Sequence, residues 1–115
     1  MVEVLAIDFG TSRTKVAYYD ARSGQPVLMQ HNGLPFLPSL FYLPRNSERV
    51  FWGQDAEESL EDDPAGVIDV LKRRLKEPYV RANGRRLKPG ELLAQLLAGL
   101  RRQAGMEVAA FAGRL

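Results

Sequence analysis

The first thirty residues contain three segments of strand-forming sequence separated only by short polar turns. Residues 2–8 are almost entirely apolar, and residues 14–19 are rich in β-branched and aromatic side chains, as strands in a sheet are. Residues 9–12 and 20–24 have the composition of turns, and residues 26–30 are typical of a third strand. Because neither turn could hold a crossover helix, this segment predicts an antiparallel β-meander and excludes a β-α-β unit.

Beyond residue 30 the sequence alternates short strands and helices. Helical spacing of apolar residues from Val67 to Leu75 predicts a helix over residues 66–76. A leucine stripe at positions 93, 96, 97 and 100 predicts another, beginning at Pro89, weakened by Gly99 and ending at Gly105. The other predicted elements are strands at residues 40–43, 50–52 and 106–112, a helix at 55–60, and a hairpin over 79–87 that turns at Asn83-Gly84.

The expected fold class is therefore α/β in the mixed α+β sense, with a β-meander followed by strands and helices. A chain of 115 residues is long enough for one small domain, so residues 1–115 are expected to form a single unit.

Composition excludes several kinds of site and location. The chain has no cysteine, which excludes disulfides and cysteine metal sites, and His31 is its one histidine. The first residues lack the basic region and long apolar run of a signal peptide. No apolar stretch approaches the ~20 residues that a membrane helix needs. We expect a soluble, cytoplasmic protein with no membrane partner.

The charged residues are segregated along the chain. Residues 55–63 hold six acids and no base, whereas residues 72–88 hold eight bases and one acid, Glu77. A run of bases is most often a solvated face balanced by a neighbouring acidic one. A nucleic-acid-binding module is the less favoured alternative, because Tyr79 is the one aromatic ring in the run.

The segment from Asp8 to Arg13 has the residue types that binding a phosphate group requires. A tight turn directs backbone N–H groups at the anion, and a glycine at position 10 lets the backbone approach closely. The hydroxyls of Thr11 and Ser12 add short hydrogen bonds. The Asp8 carboxylate would repel phosphate unless a cation intervenes, and Mg²⁺ held through water supplies one. The alternative is an ordinary hairpin in which these residues only form the turn.

Residues 8–17 resemble the first phosphate motif of the actin-like ATPases, which include heat shock chaperones, bacterial actins and sugar kinases. Residues 33–40, 50–56 and 67–73 resemble the heat shock protein 70 family in order and spacing, as does the helix that starts near Pro89. Leu37-Pro38-Ser39 stands where the family usually has Thr-Pro-Ser. This replacement makes the sequence most similar to divergent bacterial members of the family. Bacterial actins share a Pro-Ser and a later Gly-x-x-Ala and are the alternative family, while sugar kinases match the first motif alone.

The resemblance implies the opening part of a ribonuclease H-like lobe, one of two that close on Mg-ATP or ADP. It implies that Asp8 contacts Mg²⁺ through water, that Gly10, Thr11 and Ser12 hold the β- and γ-phosphates, and that Arg13 lends its backbone N–H. A stress-response chaperone of this family would have unfolded polypeptides and co-chaperones as partners.

One position departs from the family pattern. The family has a catalytic lysine directly after the alanine of its Gly-x-x-Ala segment, and here Gly53-Gln54-Asp55-Ala56 is followed by Glu57. A carboxylate cannot stabilise charge on a transferring phosphoryl group as lysine does, and losing such a group typically costs ~10²–10³ in rate. If Glu57 occupies the lysine position, ATP hydrolysis is expected to be impaired. The alternative is that Glu57 is an ordinary solvated acid and that Lys15 or another base supplies the positive charge.

The family's second phosphate motif, further catalytic acids and adenosine-binding motif would all lie beyond Leu115. We therefore expect an N-terminal fragment of a nucleotide-binding domain, which alone binds ATP weakly or not at all and does not hydrolyse it. An uncovered sheet edge and apolar surface would favour self-association.

Overall fold

The structure is a computed structural model that describes residues 5–21 and 23–113, with side chains described as far as residue 105. The strands are β1 (Leu5–Phe9), β2 (Arg13–Asp20), β3 (Gln25–Leu28), β4 (Leu37–Pro38), β5 (Phe41–Tyr42), β6 (Phe51–Trp52), β7 (Val67–Ile68), β8 (Val80–Ala82) and β9 (Arg85–Leu87). The helices are α1 (Gln54–Glu57), α2 (Ser59–Asp62), α3 (Leu71–Arg74) and α4 (Pro89–Gly113), with a 3-10 turn at Pro64–Gly66.

The predicted β-meander is present. Strands β1, β2 and β3 pair antiparallel in that order, and the unpredicted short strand β4 pairs with the beginning of β2. Side chains of β2 alternate between the two faces, so Thr14 and Val16 are fully buried while Arg13 and Lys15 are exposed. Residues 2–4 of the predicted first strand, and residue 22 of the second turn, lie outside the described part of the chain.

The predicted helix over residues 66–76 is wrong in its first half. Val67 and Ile68 form β7, which pairs with β5 in a three-stranded sheet of order β6-β5-β7. Ile68 is buried in the core and lies opposite Phe41. Val70 then adopts a left-handed conformation with φ of 47°, and the helix that follows is the four-residue α3. Strand pairing of the β-branched Val67 and Ile68 with the aromatic Tyr42 and Phe41 therefore prevails over the helical spacing.

Helix α4 is longer than predicted and is rotated about its axis. It continues through Gly105 and includes the residues 106–112 that were predicted as a strand. Alanine, methionine and glutamate in this segment are good helix formers, and neither proline nor a turn signal interrupts them. The buried face is Leu92, Leu96, Leu100 and Ala104, whereas Leu97 of the predicted stripe is 38% exposed and Leu93 is half-buried.

The hairpin predicted at Asn83-Gly84 is confirmed. Strands β8 and β9 pair antiparallel, and both turn residues have positive φ, 51° at Asn83 and 71° at Gly84, as a two-residue hairpin loop requires. The Asn83 side chain is buried: its amide donates to the Leu43 carbonyl at 2.9 Å and to the Asp63 carboxylate at 2.7 Å. Tyr42 donates to the same carboxylate oxygen at 2.8 Å.

One core joins the two larger sheets, the hairpin and α4. Its fully buried members include Val16 and Met29 from the meander region, Phe41 and Ile68 from the second sheet, and the inward leucines of α4. Within residues 5–21 and 23–113, no helix has both the length and the apolar character needed to cross a membrane.

His31 is a buried polar residue beside this core. Its side chain is 5% exposed, and its Nε2 has no hydrogen-bond partner among the described residues. Burial removes water from the charged imidazolium and thereby lowers the pKa of His31 below its ordinary value of 6.5.

We predict that the free energy of unfolding falls as the pH drops below the unfolded-state value near 6.5. Between these two pKa values the imidazole of His31 is protonated in the unfolded chain but remains neutral in the folded chain. The loss of unfolding free energy is therefore complete once the pH falls below the pKa of His31 in the folded chain. Urea unfolding at about pH 7.5 and about pH 5.5 measures the difference. In a His31→Phe variant the difference shrinks, and an equal decline in both proteins would contradict the prediction.

Candidate phosphate-binding site

The turn between β1 and β2 is tight and needs its glycine. The Gly10 N–H donates to the Arg13 carbonyl at 3.0 Å, and a Cβ at position 10 would lie 2.5 Å from that same oxygen. A side chain there would force the turn open, because real Cβ atoms do not approach a carbonyl so closely. Glycine is thus required by the turn itself, a reason separate from the predicted approach of a phosphate.

The two residues at the tip of this turn keep their backbone donors available. Among the described residues, the N–H groups of Thr11 and Ser12 donate to no protein acceptor. Thr11 is half-buried and Ser12 is exposed. The tip therefore offers two backbone donors and two hydroxyls, which is a chemical set suited to an anion.

Asp8 and Lys15 lie on the solvent face of the hairpin below this tip. They are opposite one another in the β1–β2 register, and both are exposed. With Ala6, Ala17 and Leu28 they line an open groove of about 250 Å³. Asp8 is thus accessible to a hydrated cation, while no cluster of three or more metal-ligating side chains occurs in the parts of the chain that the structure describes.

A loop from the middle of the chain holds the base of the turn. The Ser39 N–H donates to the Ser12 carbonyl at 3.0 Å, and the hydroxyls of Ser39 and Thr14 share a buried hydrogen bond of 2.8 Å. The Arg13 guanidinium stacks on the Phe36 ring, 4.3 Å from its centroid. Residues 36–39 therefore hold the turn in place, a role that their sequence did not predict, and we call them the brace.

We predict that Thr14→Val lowers the free energy of unfolding by about 1–2 kcal/mol, because the buried Ser39 hydroxyl loses its partner. Replacing both residues, in Thr14→Val with Ser39→Ala, should cost less than the sum of the two single changes, since no hydroxyl is then left unpaired. Urea unfolding of the four proteins in this cycle gives the coupling. Strictly additive losses would show that the hydroxyl contact contributes nothing.

Glu57, the residue predicted at the family's lysine position, makes no polar contact with the turn in the described part of the chain. It is the exposed last residue of α1, which follows Gly53. Gly53 has φ of 71° and packs against the Leu37 side chain. No hydrogen bond or ion pair joins Glu57 to Asp8 or to the turn within the described residues. The helix is thus anchored next to the brace, and Glu57 itself points to no partner.

Comparison with curated proteins finds chaperones. The chain is 32% identical over 106 residues to the chaperone protein DnaK of Mesomycoplasma hyopneumoniae strain J, and 28% identical over 106 residues to the DnaK of Mycoplasmopsis pulmonis. Each match covers 91% of this chain and 17% of the relative, so the chain spans about a sixth of the length of these proteins. No protein-family profile matches. The matches show homology to DnaK, a heat shock protein 70 chaperone.

Proposed function

We propose that this chain is the N-terminal part of the nucleotide-binding domain of a DnaK-like chaperone, and that its first hairpin holds the phosphates of Mg-ATP or ADP. The observation that carries the proposal is the turn at Gly10: Ser39 and Phe36 hold it in place, while the N–H groups of Thr11 and Ser12 have no acceptor among the described residues. The similarity to DnaK over 106 residues supports this function over the filament-forming bacterial actin alternative.

The residues present fit a phosphate with its magnesium ion. Thr11 and Ser12 would supply backbone and hydroxyl donors, and the Arg13 backbone would add to them. The Arg13 guanidinium is held on Phe36, so its positive charge would act from the side of the turn. Exposed Asp8, beside the open groove, would hold the hydrated Mg²⁺, which supplies the positive charge that lets a carboxylate and a phosphate share one site.

Titration of the ¹⁵N-labelled 115-residue chain with Mg-ATP up to millimolar concentrations tests the hairpin directly. We expect chemical-shift changes at the amides of Gly10 to Arg13, and their loss in Asp8→Asn when magnesium is present. Gly105→Ala is the matched control, because an added Cβ there meets no described atom within 4 Å. Its turn amides are expected to shift with Mg-ATP as those of the unsubstituted chain do. Because the 115-residue chain alone is expected to bind ATP weakly at best, the deciding measurement is Mg-ATP binding by a chimera that carries residues 5–113 in place of the matching segment of the mycoplasmal DnaK. Equal affinity of this chimera with and without Asp8→Asn would overturn the proposal.

Hydrolysis is a separate proposal that depends on Glu57. We infer that the position after Ala56 does not supply the positive charge that phosphoryl transfer uses, so turnover is low even when nucleotide binds. A chimera that carries residues 5–113 in place of the matching segment of the mycoplasmal DnaK tests this. Glu57→Lys is expected to raise its ATPase rate by ~10²-fold. An unchanged rate, in a chimera that binds ATP, would show that Glu57 does not occupy the lysine position.

The remaining partners belong to the proposed full-length protein, namely unfolded polypeptides and co-chaperones. Self-association of this chain is also a proposal. In the described residues β1 has a strand partner on one side only, which leaves its other edge able to pair. Light scattering that shows a monomer at high concentration would count against it.

A further inference from the structure

The outer face of the β8–β9 hairpin carries two arginines directly opposite one another. Val80 and Ala82 of β8 are buried, so the residue between them, Arg81, points outward. In the hairpin register Arg81 pairs with Arg86, and both are exposed. Side chains opposed in this way have Cβ atoms about 5 Å apart, so two positive charges are brought together.

The fold holds this pair in place. The inward residues Val80 and Ala82 belong to the core, and the turn is tied to the body of the protein through Asn83. The Arg86 guanidinium stacks on Tyr79, 4.3 Å from the ring centroid, and Tyr79 is 39% exposed. The backbone of the hairpin is thus fixed with Arg81 and Arg86 opposite each other, and both residues are exposed.

No acid of the described residues neutralises these charges. Neither Arg81 nor Arg86 has a carboxylate within ion-pair distance in that part of the chain. Like charges opposed across a hairpin are destabilising. Folding does not require two exposed arginines to be opposite each other. Their repulsion is therefore an unfavourable contribution that an anionic group bound between them would remove.

Two other arginines of the basic run have partners of their own. Arg74 pairs with Asp69 at 3.5 Å on the α3 side. Arg85 turns the other way and donates to the backbone carbonyls of Pro44, at 3.3 Å, and Arg49, at 2.6 Å. Lys72, Arg73, Lys76 and Lys88 of the run are also exposed. We call Tyr79, Arg81 and Arg86 the arginine face, because the register sets the two arginines opposite each other and the Arg86 guanidinium stacks on the Tyr79 ring.

We propose that the arginine face binds a short acidic segment of a partner polypeptide. Guanidinium groups match carboxylates with paired N–H···O bonds, and two adjacent guanidiniums suit two acidic side chains that follow closely in a chain. A nucleic acid is less well matched, because bases stack on aromatic rings and the arginine face offers one ring, Tyr79. This inference concerns a surface outside the phosphate turn and does not rest on nucleotide binding.

Fluorescence anisotropy of a labelled deca-glutamate peptide, added to the 115-residue chain at low salt, tests the proposal. We expect saturable binding that weakens as salt is raised. Arg81→Glu with Arg86→Glu is expected to weaken it by about tenfold or more, since charge-assisted hydrogen bonds are lost. The matched control is Lys72→Glu with Arg73→Glu, which makes the same change in net charge at exposed positions of α3.

The outcomes separate the alternatives. Weaker peptide binding by the Arg81/Arg86 variant, with unchanged binding by the control variant, supports the proposal. Equally weakened binding by both variants would show that net charge alone determines the affinity and would overturn the proposal. Tighter binding of a deca-thymidine oligonucleotide than of the peptide would overturn it in favour of nucleic acid. Self-association of the wild-type chain that the Arg81/Arg86 variant abolishes would reassign the face to contacts between copies. Circular dichroism of each variant confirms that it is folded.

Discussion

An Asn83→Ala variant is expected to lose about 3 kcal/mol in its free energy of unfolding. Asn83 has φ of 51°, and holding alanine in this left-handed conformation costs about 1 kcal/mol. The rest, about 2 kcal/mol, comes from the Leu43 carbonyl, which loses its donor at 2.9 Å in a buried position. The loss should appear as a lower urea midpoint with an unchanged slope, because the surface exposed on unfolding is the same.

Asn46 provides a matched control for the backbone conformation. It also has a positive φ, 58°, but it is exposed and its side chain makes no hydrogen bond within the described residues. Asn46→Ala is therefore expected to cost only about 1 kcal/mol. If both variants lost the same amount, the side-chain contacts of Asn83 would contribute nothing.

The Asn83 variant has a second readout that reports the contact itself. Hydrogen bonds from Asn83 and then Tyr42 hold the pKa of the Asp63 carboxyl below its ordinary value of 3.8. Removing Asn83 takes away the larger of these two causes, so the pKa of Asp63 rises toward that value. An NMR titration of the carboxyl measures it. The same carboxylate raises the pKa of the Tyr42 hydroxyl in the wild-type chain.

A Gly99→Ala variant is expected to be less stable by about 2 kcal/mol, although alanine is the better helix former. Gly99 lies in the middle of α4 and faces Trp52. An added Cβ would overlap Cζ2 of the indole and would lie 3.0 Å from Cε2. The helix and the β6 strand would have to separate to make room, which loses packing that the gain in helix propensity of ~1 kcal/mol does not offset.

Gly105→Ala on the same helix is the control, because an added Cβ there meets nothing within 4 Å. This substitution is expected to stabilise the chain by up to about 1 kcal/mol. Thermal or urea unfolding of the two variants beside the wild type shows whether they change stability in opposite directions. Stabilisation by both would mean that the indole ring moves aside at no cost.

The elements that the sequence predicted well are those with local signals. The meander follows from strand-forming segments separated by two turns, and the β8–β9 hairpin follows from Asn83-Gly84. The helix predicted at residues 66–76 failed because the pairing of Ile68 with Phe41 joins distant parts of the chain, which periodicity within one window does not report. The face of α4 was misassigned for a similar reason: Gly99, taken only as a weak helix former, is where Trp52 packs.

Part of the candidate phosphate-binding site could be predicted from the sequence. The turn at residues 9–12 agrees with the expectation, and the binding of phosphate and magnesium by Asp8 to Arg13 stays a prediction. The brace was missed because Thr14 and Ser39 are 25 residues apart in the chain. One signal was present: a threonine at an inward position of an alternating strand needs a buried partner for its hydroxyl.

Helix α4 also determines when the chain can fold during its synthesis. Its inward leucines complete the core around Val16 and Met29, and Gln103 donates to the Gln30 carbonyl across 73 residues of sequence. A ribosome making 5–20 residues per second needs on the order of ten seconds to pass from the meander to this helix. During that interval the core around β2 lacks the leucines of α4, so the nascent meander exposes apolar surface to aggregation or to a holding chaperone.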